Sequence, residues 1–209
     1  MRPLVIAGPM SIPEFAAFMQ NLTEDARAVT FRRPDGMVAQ EACIHPEAYV
    51  DPTALLFGGI VVKAGVYIGP YAVIRLDEKN SPEPLIIGEE SNIQDGAIVH
   101  STTRSIGRKV IVAHQAIVHG AEIHDDVTIY IQAVVDGGGT VVRPGCFLHQ
   151  GCYIGKHITL SPGRYVAPGV KVLTQQQADA LPDVPAELLK VREHVLADNA
   201  AHVRRYLGR

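Results

Sequence analysis

Three histidines stand in aliphatic surroundings near the middle of the chain. His100 closes the run GAIVH, and His114 and His119 punctuate VAHQAIVHG. Imidazole is the commonest metal ligand among side chains, and three neutral imidazoles with a fourth position left to water form the open type of zinc site. His114 and His119, however, are five residues apart. Partners on one face of a helix sit three or four apart, and partners on one face of a strand sit an even number apart. The pair therefore cannot cooperate within one ordinary element, and some other architecture must position it.

That architecture is written in a period of six. Ile44, Val50, Leu56, Val62, Ile68 and Ile74 fall at every sixth residue, and Ala48, Ala54, Ile60, Val66 and Ala72 follow the first five of them by four. The count resumes at Ile87, Ile93 and Val99, and again at Ile106, Val112 and Val118. After a slip of one it runs through Ile123, Ile129, Val135, Val141 and Phe147. A sustained hexad is the signature of a parallel β-helix, with large aliphatics inside the coil and small residues beside its corners. Gly69, Gly88, Gly107 and Gly155 fall where the turns call for a permissive backbone.

Counting faces then places the histidines. His100 follows Val99 and His119 follows Val118, three repeats later, so both take the second slot on one face of adjacent coils, roughly 4.8 Å apart. His114 takes the third slot of the preceding repeat, on a different face. Arg75 and Gln94 follow Ile74 and Ile93, and the count assigns them to the face of His114. A prism face cannot bend round to meet the next one. Two subunits around a threefold axis can bring both faces together, so the trio predicts a transition-metal site shared between subunits.

The segments RLDE (75–78), NIQDGAIVH (92–100) and AHQAIVHG (113–120) together resemble the motifs of the γ-class carbonic anhydrases, a family of hexapeptide-repeat proteins. The resemblance runs from about Ile44 to Leu181. It implies an all-β fold, a left-handed parallel β-helix assembled as a homotrimer. It also implies that His100, His114 and His119 bind zinc, or alternatively iron or cobalt. Gln94 then matches the residue that hydrogen-bonds metal-bound hydroxide, Asn92 the one that orients nearby polar groups, and Glu78 a carboxylate that handles the proton. Arg75, Asp77 and Asp95 resemble an ion-pair set that locks subunits together. The implied reaction is reversible hydration of carbon dioxide to bicarbonate. One departure stands out: His100 is followed by STTRS, without the glutamate that efficient members carry there, which implies slow proton transfer. A hexapeptide-repeat acyltransferase or acyl-CoA thioesterase is the alternative, and a trimeric scaffold with a structural metal is the third reading.

Outside the coil (44–173) the chain divides into an N-terminal extension (1–43) and a C-terminal linker and helix (174–209). SIPEFAAFMQNL reads as a short helix begun by a capping box of Ser11 and Glu14, and RAVTFRRPDGMVAQE as a connector or hairpin. At the other end Leu188, Val195, Asn199, Val203 and Tyr206 form a helical stripe, placing an α-helix back along the prism or across a neighbour. His194 and His202 are expected to face solvent, and His45, His124, His149 and His157 to be surface or turn residues. With 47% hydrophobic residues, 20% charged residues, a net charge of -3 and no basic cluster, the chain gives no reason to expect nucleic acid or anionic membrane as a partner. No apolar run reaches the roughly eighteen residues of a membrane span. Cys43, Cys146 and Cys152 are an odd set without CxxC spacing, which reads as reduced thiols in a cytoplasmic protein.

Overall fold

The computed structural model describes residues 27–32, 38–76, 84–101 and 105–208, with side chains from residue 42 onward except at 101. The expected N-terminal helix, Asp77 and Glu78 lie outside the described residues. The chain winds as a left-handed parallel β-helix whose strands, of two to four residues from Tyr49 onward, stack into three sheets. Face 1 has eight strands, from Arg27–Arg32 to Thr159–Leu160. Face 2 runs in seven strands from Tyr49–Val50 to Tyr165–Val166, and face 3 in seven from Leu55–Phe57 to Lys171–Val172.

The hexad aliphatics fill the interior as expected: Ile68, Ile74, Ile93, Val99, Val112 and Val118 are all fully buried. The small slots pack at the corners. Where those slots carry a hydroxyl, it is satisfied: Ser91 Oγ donates to Gly107 O (2.8 Å) and accepts from the Val110 N–H, and Thr140 Oγ1 donates to Gly155 O (2.8 Å). Cys146 and Cys152 occupy two more such slots. Burial pushes the Cys152 thiol up to about 12, and that of Cys43 up to about 11, so neither is a thiolate nucleophile at neutral pH.

All irregularity falls at one edge. From face 1 to face 2, and from face 2 to face 3, every step between successive interior residues is six, as in Ile87–Ile93–Val99 and Ile106–Val112–Val118. From face 3 back to face 1 the steps vary: Ile74 to Ile87, Val99 to Ile106, Val118 to Ile123 and Val135 to Val142. The last of these corrects the expected register. Val142 and Leu148, not Val141 and Phe147, point inward. The extra residue is absorbed by the glycine run 137–139, where Gly137 (φ +116°) and Gly139 (φ +78°) adopt backbone that other residues avoid. Phe147 is buried nevertheless, on the outside of face 2, between Tyr130 and Tyr165 (ring centroids 5.8 and 6.4 Å). The role expected of Gly88 and Gly107 is also corrected. Neither has positive φ; a Cβ on either would lie 2.5 Å from backbone of the next coil, so closeness is what requires glycine there.

Both ends of the coil are closed. Strand Arg27–Arg32 pairs antiparallel with Val38–Ile44, the hairpin arrangement, and the second of these strands also pairs parallel with Ile60–Val62. At the far end helix α1 (Gln175–Asp179) begins with a Thr174–Gln177 capping box. The Gln175 side-chain amide accepts from Thr159 N (2.9 Å) and donates to Thr159 O (2.8 Å), standing in for the next strand. Helix α2 (Ala186–Tyr206) lies back along face 2 of its own prism. It is held there by buried Val203, by Tyr206 stacked on Tyr49 (4.7 Å), and by Arg192 donating to the Asp126 carbonyl (2.7 Å). No helix among the described residues is long and apolar enough to cross a membrane.

Candidate metal centre

His100 and His119 are exact cross-strand neighbours on face 3, with ring centroids 5.0 Å apart. The outward row that carries them runs Phe57, Arg75, His100, His119, Asp136 over five successive coils. Arg75 therefore lies on the face of His100 and not, as the count suggested, on that of His114. Strand Val73–Leu76 on face 3 is followed by Leu85–Ile87 on face 1, one step of the coil further on.

His119 is anchored. Its Nδ1 lies 3.0 Å from Asp136 Oδ1, and Asp136 Oδ2 accepts from the Tyr153 hydroxyl at 2.9 Å. These hydrogen bonds, from His119 first and then Tyr153, hold the Asp136 carboxyl below the ordinary range. Neither Asp136 nor Tyr153 was anticipated from the sequence. Asp136 was within reach, because it follows Val135 in the second slot, one coil beyond His119.

His114 stands at the corner between faces 2 and 3, directly above Asp95 on the preceding coil. Its Nδ1 is 3.9 Å from Asp95 Oδ2, and both side chains are about half exposed. Asp95 thus faces a histidine of its own chain. Beneath this corner Gln94 and Asn92 are buried, and Gln94 Nε2 donates to Asn92 Oδ1 at 3.0 Å. That contact turns Gln94 Oε1 away from Asn92, while Asn92 Nδ2 is buried and has no hydrogen-bond partner among the described residues.

Gln94, Asp95 and His114 line a cleft of about 400 Å³ between face 2 and helix α2, with Tyr67, Tyr130 and Tyr206 on its walls. Burial, and after it the charge of Asp95, pushes Tyr67 up to about 12, so it stays protonated. His202 lines the cleft too, with its ring 6.3 Å from that of Tyr67. It is exposed as expected, but its ring also packs on aromatic neighbours, which a solvent-facing reading omits. His194 does face solvent, paired with Asp198 at 3.2 Å. His149 is not a plain surface residue: it sits among Tyr130, Phe147 and Tyr165, and burial lowers its pKa.

Within one chain, no group of three or more His, Cys, Asp or Glu side chains among the described residues converges as a metal site. The donor set nonetheless suits a borderline transition metal. It offers two stacked imidazoles, one of them in contact with Asp136 through Nδ1, and a third imidazole at another corner of the prism. Beside the histidine row, face 3 carries a second outward row of Leu55, Val73, Ile98, Ile117 and Val134. Leu55 is 50% exposed and Ile98 37%.

No family model matches the chain. Over 168 residues it is 34% identical to a carbonic anhydrase of Methanosarcina thermophila, an alignment covering 68% of this chain and 64% of that protein. Over 181 residues it is 33% identical to the carboxysome assembly protein CcmM of a Nostoc species, covering 80% of this chain and 32% of CcmM. The carnitine operon protein CaiE of Escherichia coli is 39% identical over 101 residues, 47% of this chain and 50% of its own. The chain thus spans less than two thirds of the length of each of these relatives. Among solved structures, a hexapeptide transferase family protein from Anaplasma phagocytophilum aligns over 79% of this chain and 93% of its own, at 20% identity and a TM-score of 0.47.

Proposed function

From its membership of the γ-class carbonic anhydrase-like hexapeptide-repeat family, to which this chain belongs, we infer a metal-dependent enzyme that reversibly hydrates carbon dioxide at the interfaces of a homotrimer. One observation carries the reading. The in-register pair His100 and His119 flanks a partly exposed aliphatic row on face 3, while His114 stands on the opposite border of that same face. A neighbouring copy docked on the aliphatic row brings its own His114 to this pair.

His100 and His119 of one subunit and His114 of the next would hold the divalent ion, zinc or alternatively iron or cobalt. Bound by three imidazoles with a position open to water, such an ion supplies a Lewis acid and makes water a nucleophile near neutral pH. The rest falls to the chain itself. Asn92 fixes the amide of Gln94, and Gln94 Oε1 accepts a hydrogen bond from the attacking water, which aims its lone pair. Ile111, Ala113 and Ile131 give the cleft an apolar floor suited to a small apolar gas. Glu78 accepts the proton that the water gives up. Arg75, Asp77 and Asp95 brace the contact between subunits.

The test is anaerobic purification, metal analysis and light scattering, followed by stopped-flow carbon dioxide hydration on the same sample. A trimer with about one transition-metal ion per chain and a saturable hydration rate is expected. A monomer, or a trimer without metal, overturns the reading. A metal-loaded trimer without hydration transfers the site to thioester cleavage or to a purely structural role.

A further inference from the structure

We propose that Asp136, backed by Tyr153, is a positioning pair that fixes the tautomer of His119 and so selects Nε2 as the atom it turns toward a divalent cation. The proposal rests on the reading that His119 belongs to a shared metal site. An ionised carboxylate only accepts hydrogen bonds, so the 3.0 Å contact with Asp136 Oδ1 requires the proton to sit on His119 Nδ1. In the neutral ring the lone pair is then left on Nε2. Asp136 is itself tied down. Tyr153 is paired with Val134 in the sheet, and it reaches diagonally, two residues along, to donate to Asp136 Oδ2 at 2.9 Å. Both carboxylate oxygens are thereby held by side chains from the coils on either side.

His114 shows what the pair adds. Its Nδ1 lies 3.9 Å from Asp95 Oδ2, beyond hydrogen-bond reach, so Asp95 does not set that ring's tautomer in the same way. Of these two imidazoles, His119 is the one whose orientation is settled before any ion arrives. Partners of this kind typically account for about 10- to 100-fold in metal affinity. Three successive coils supply the three members, His119, Asp136 and Tyr153. The device is therefore built from the stacking of the β-helix and needs no loop.

The experiment compares wild-type protein with Asp136→Leu, Asp136→Asn and Tyr153→Phe. Cobalt(II) affinity is measured against a competing chelator, and the ring tautomer of His119 is read by long-range proton–nitrogen NMR on metal-free protein. Wild-type His119 is expected as the Nδ1–H tautomer. Asp136→Leu should lose that preference and weaken cobalt binding about 10- to 100-fold, while Asp136→Asn, which keeps an acceptor oxygen, should retain the tautomer and lose less. Tyr153→Phe should broaden the tautomer equilibrium with the trimer intact. An unchanged tautomer and unchanged cobalt affinity in Asp136→Leu overturn the proposal; should that variant not fold, the same null result in Tyr153→Phe does so. Wild-type protein that takes up no cobalt overturns the shared-metal reading instead, and the tautomer comparison still decides whether Asp136 governs His119.

Discussion

Gln94 and Asn92 sit two residues apart on one buried rung, and the amide nitrogen of the first donates to the carbonyl oxygen of the second across 3.0 Å. The arrangement leaves Asn92 Nδ2 buried with no partner among the described residues, a burden of about 1–3 kcal/mol where none is supplied. A core position that keeps such a group is serving something other than stability. Asn92→Leu removes that orphan but also takes the acceptor from Gln94 Nε2, so its unfolding temperature should change little, while its carbon dioxide hydration falls about 10- to 100-fold as Gln94 loses its orientation. Differential scanning calorimetry and stopped-flow assays on one preparation check both halves.

A site divided between chains can be rebuilt by mixing. His100→Ala and His114→Ala proteins should each purify without metal. Co-expressed, about a quarter of the interfaces in randomly mixed trimers would pair an intact His100–His119 rung with an intact His114, and metal content should recover in proportion. No recovery on mixing would place all the ligands in one chain and end the shared-site account.

Ile98 lies in the outward aliphatic row of face 3, 37% exposed in the single chain. Ile98→Glu should give a monomer by light scattering with an unchanged circular dichroism spectrum, because its side chain points away from the coil interior. A trimeric Ile98→Glu protein would show that subunits meet elsewhere.

Two glycines separate two costs. At Gly107 a Cβ would lie 2.5 Å from the backbone of His124 and Asp125, with no soft atom to yield. At Gly163 the φ is +67° but no atom of the described residues lies within 4 Å of an added Cβ. Gly107→Ala should prevent folding or cost more than about 3 kcal/mol, and Gly163→Ala should cost about 1–2 kcal/mol from backbone conformation alone. Urea denaturation of the two variants gives the comparison.

His149 supplies a dependence on pH. Burial depresses its folded-state pKa below the ordinary imidazole value, so the unfolded chain binds its proton first as pH falls. The stability contributed by neutral His149 is complete above about pH 6.5 and declines as the solution is acidified through and below that value. The urea midpoint of wild type should fall between about pH 7.5 and about pH 5 by more than that of His149→Phe. Parallel curves for the two proteins would assign the acid sensitivity to other groups.

The sequence by itself determined the coil, its interior residues as far as Val135, and the stacking of His100 on His119. A six-residue step is covalent bookkeeping that survives folding unchanged wherever no residue is inserted, and inward and outward slots alternate strictly along each short strand. The tertiary structure decided what the count could not follow across the edge between faces 3 and 1. There the steps vary, and one extra residue reverses every later side chain, as it does at Val141 and Phe147. The same edge misplaced Arg75, because nothing local in an insertion says how many faces it spans. Tyr153 reaching diagonally to Asp136, and helix α2 over the cleft beside His114, are likewise meetings of residues distant along the chain. Such contacts depend on which coil lies above which, and that is settled only when the whole prism has closed.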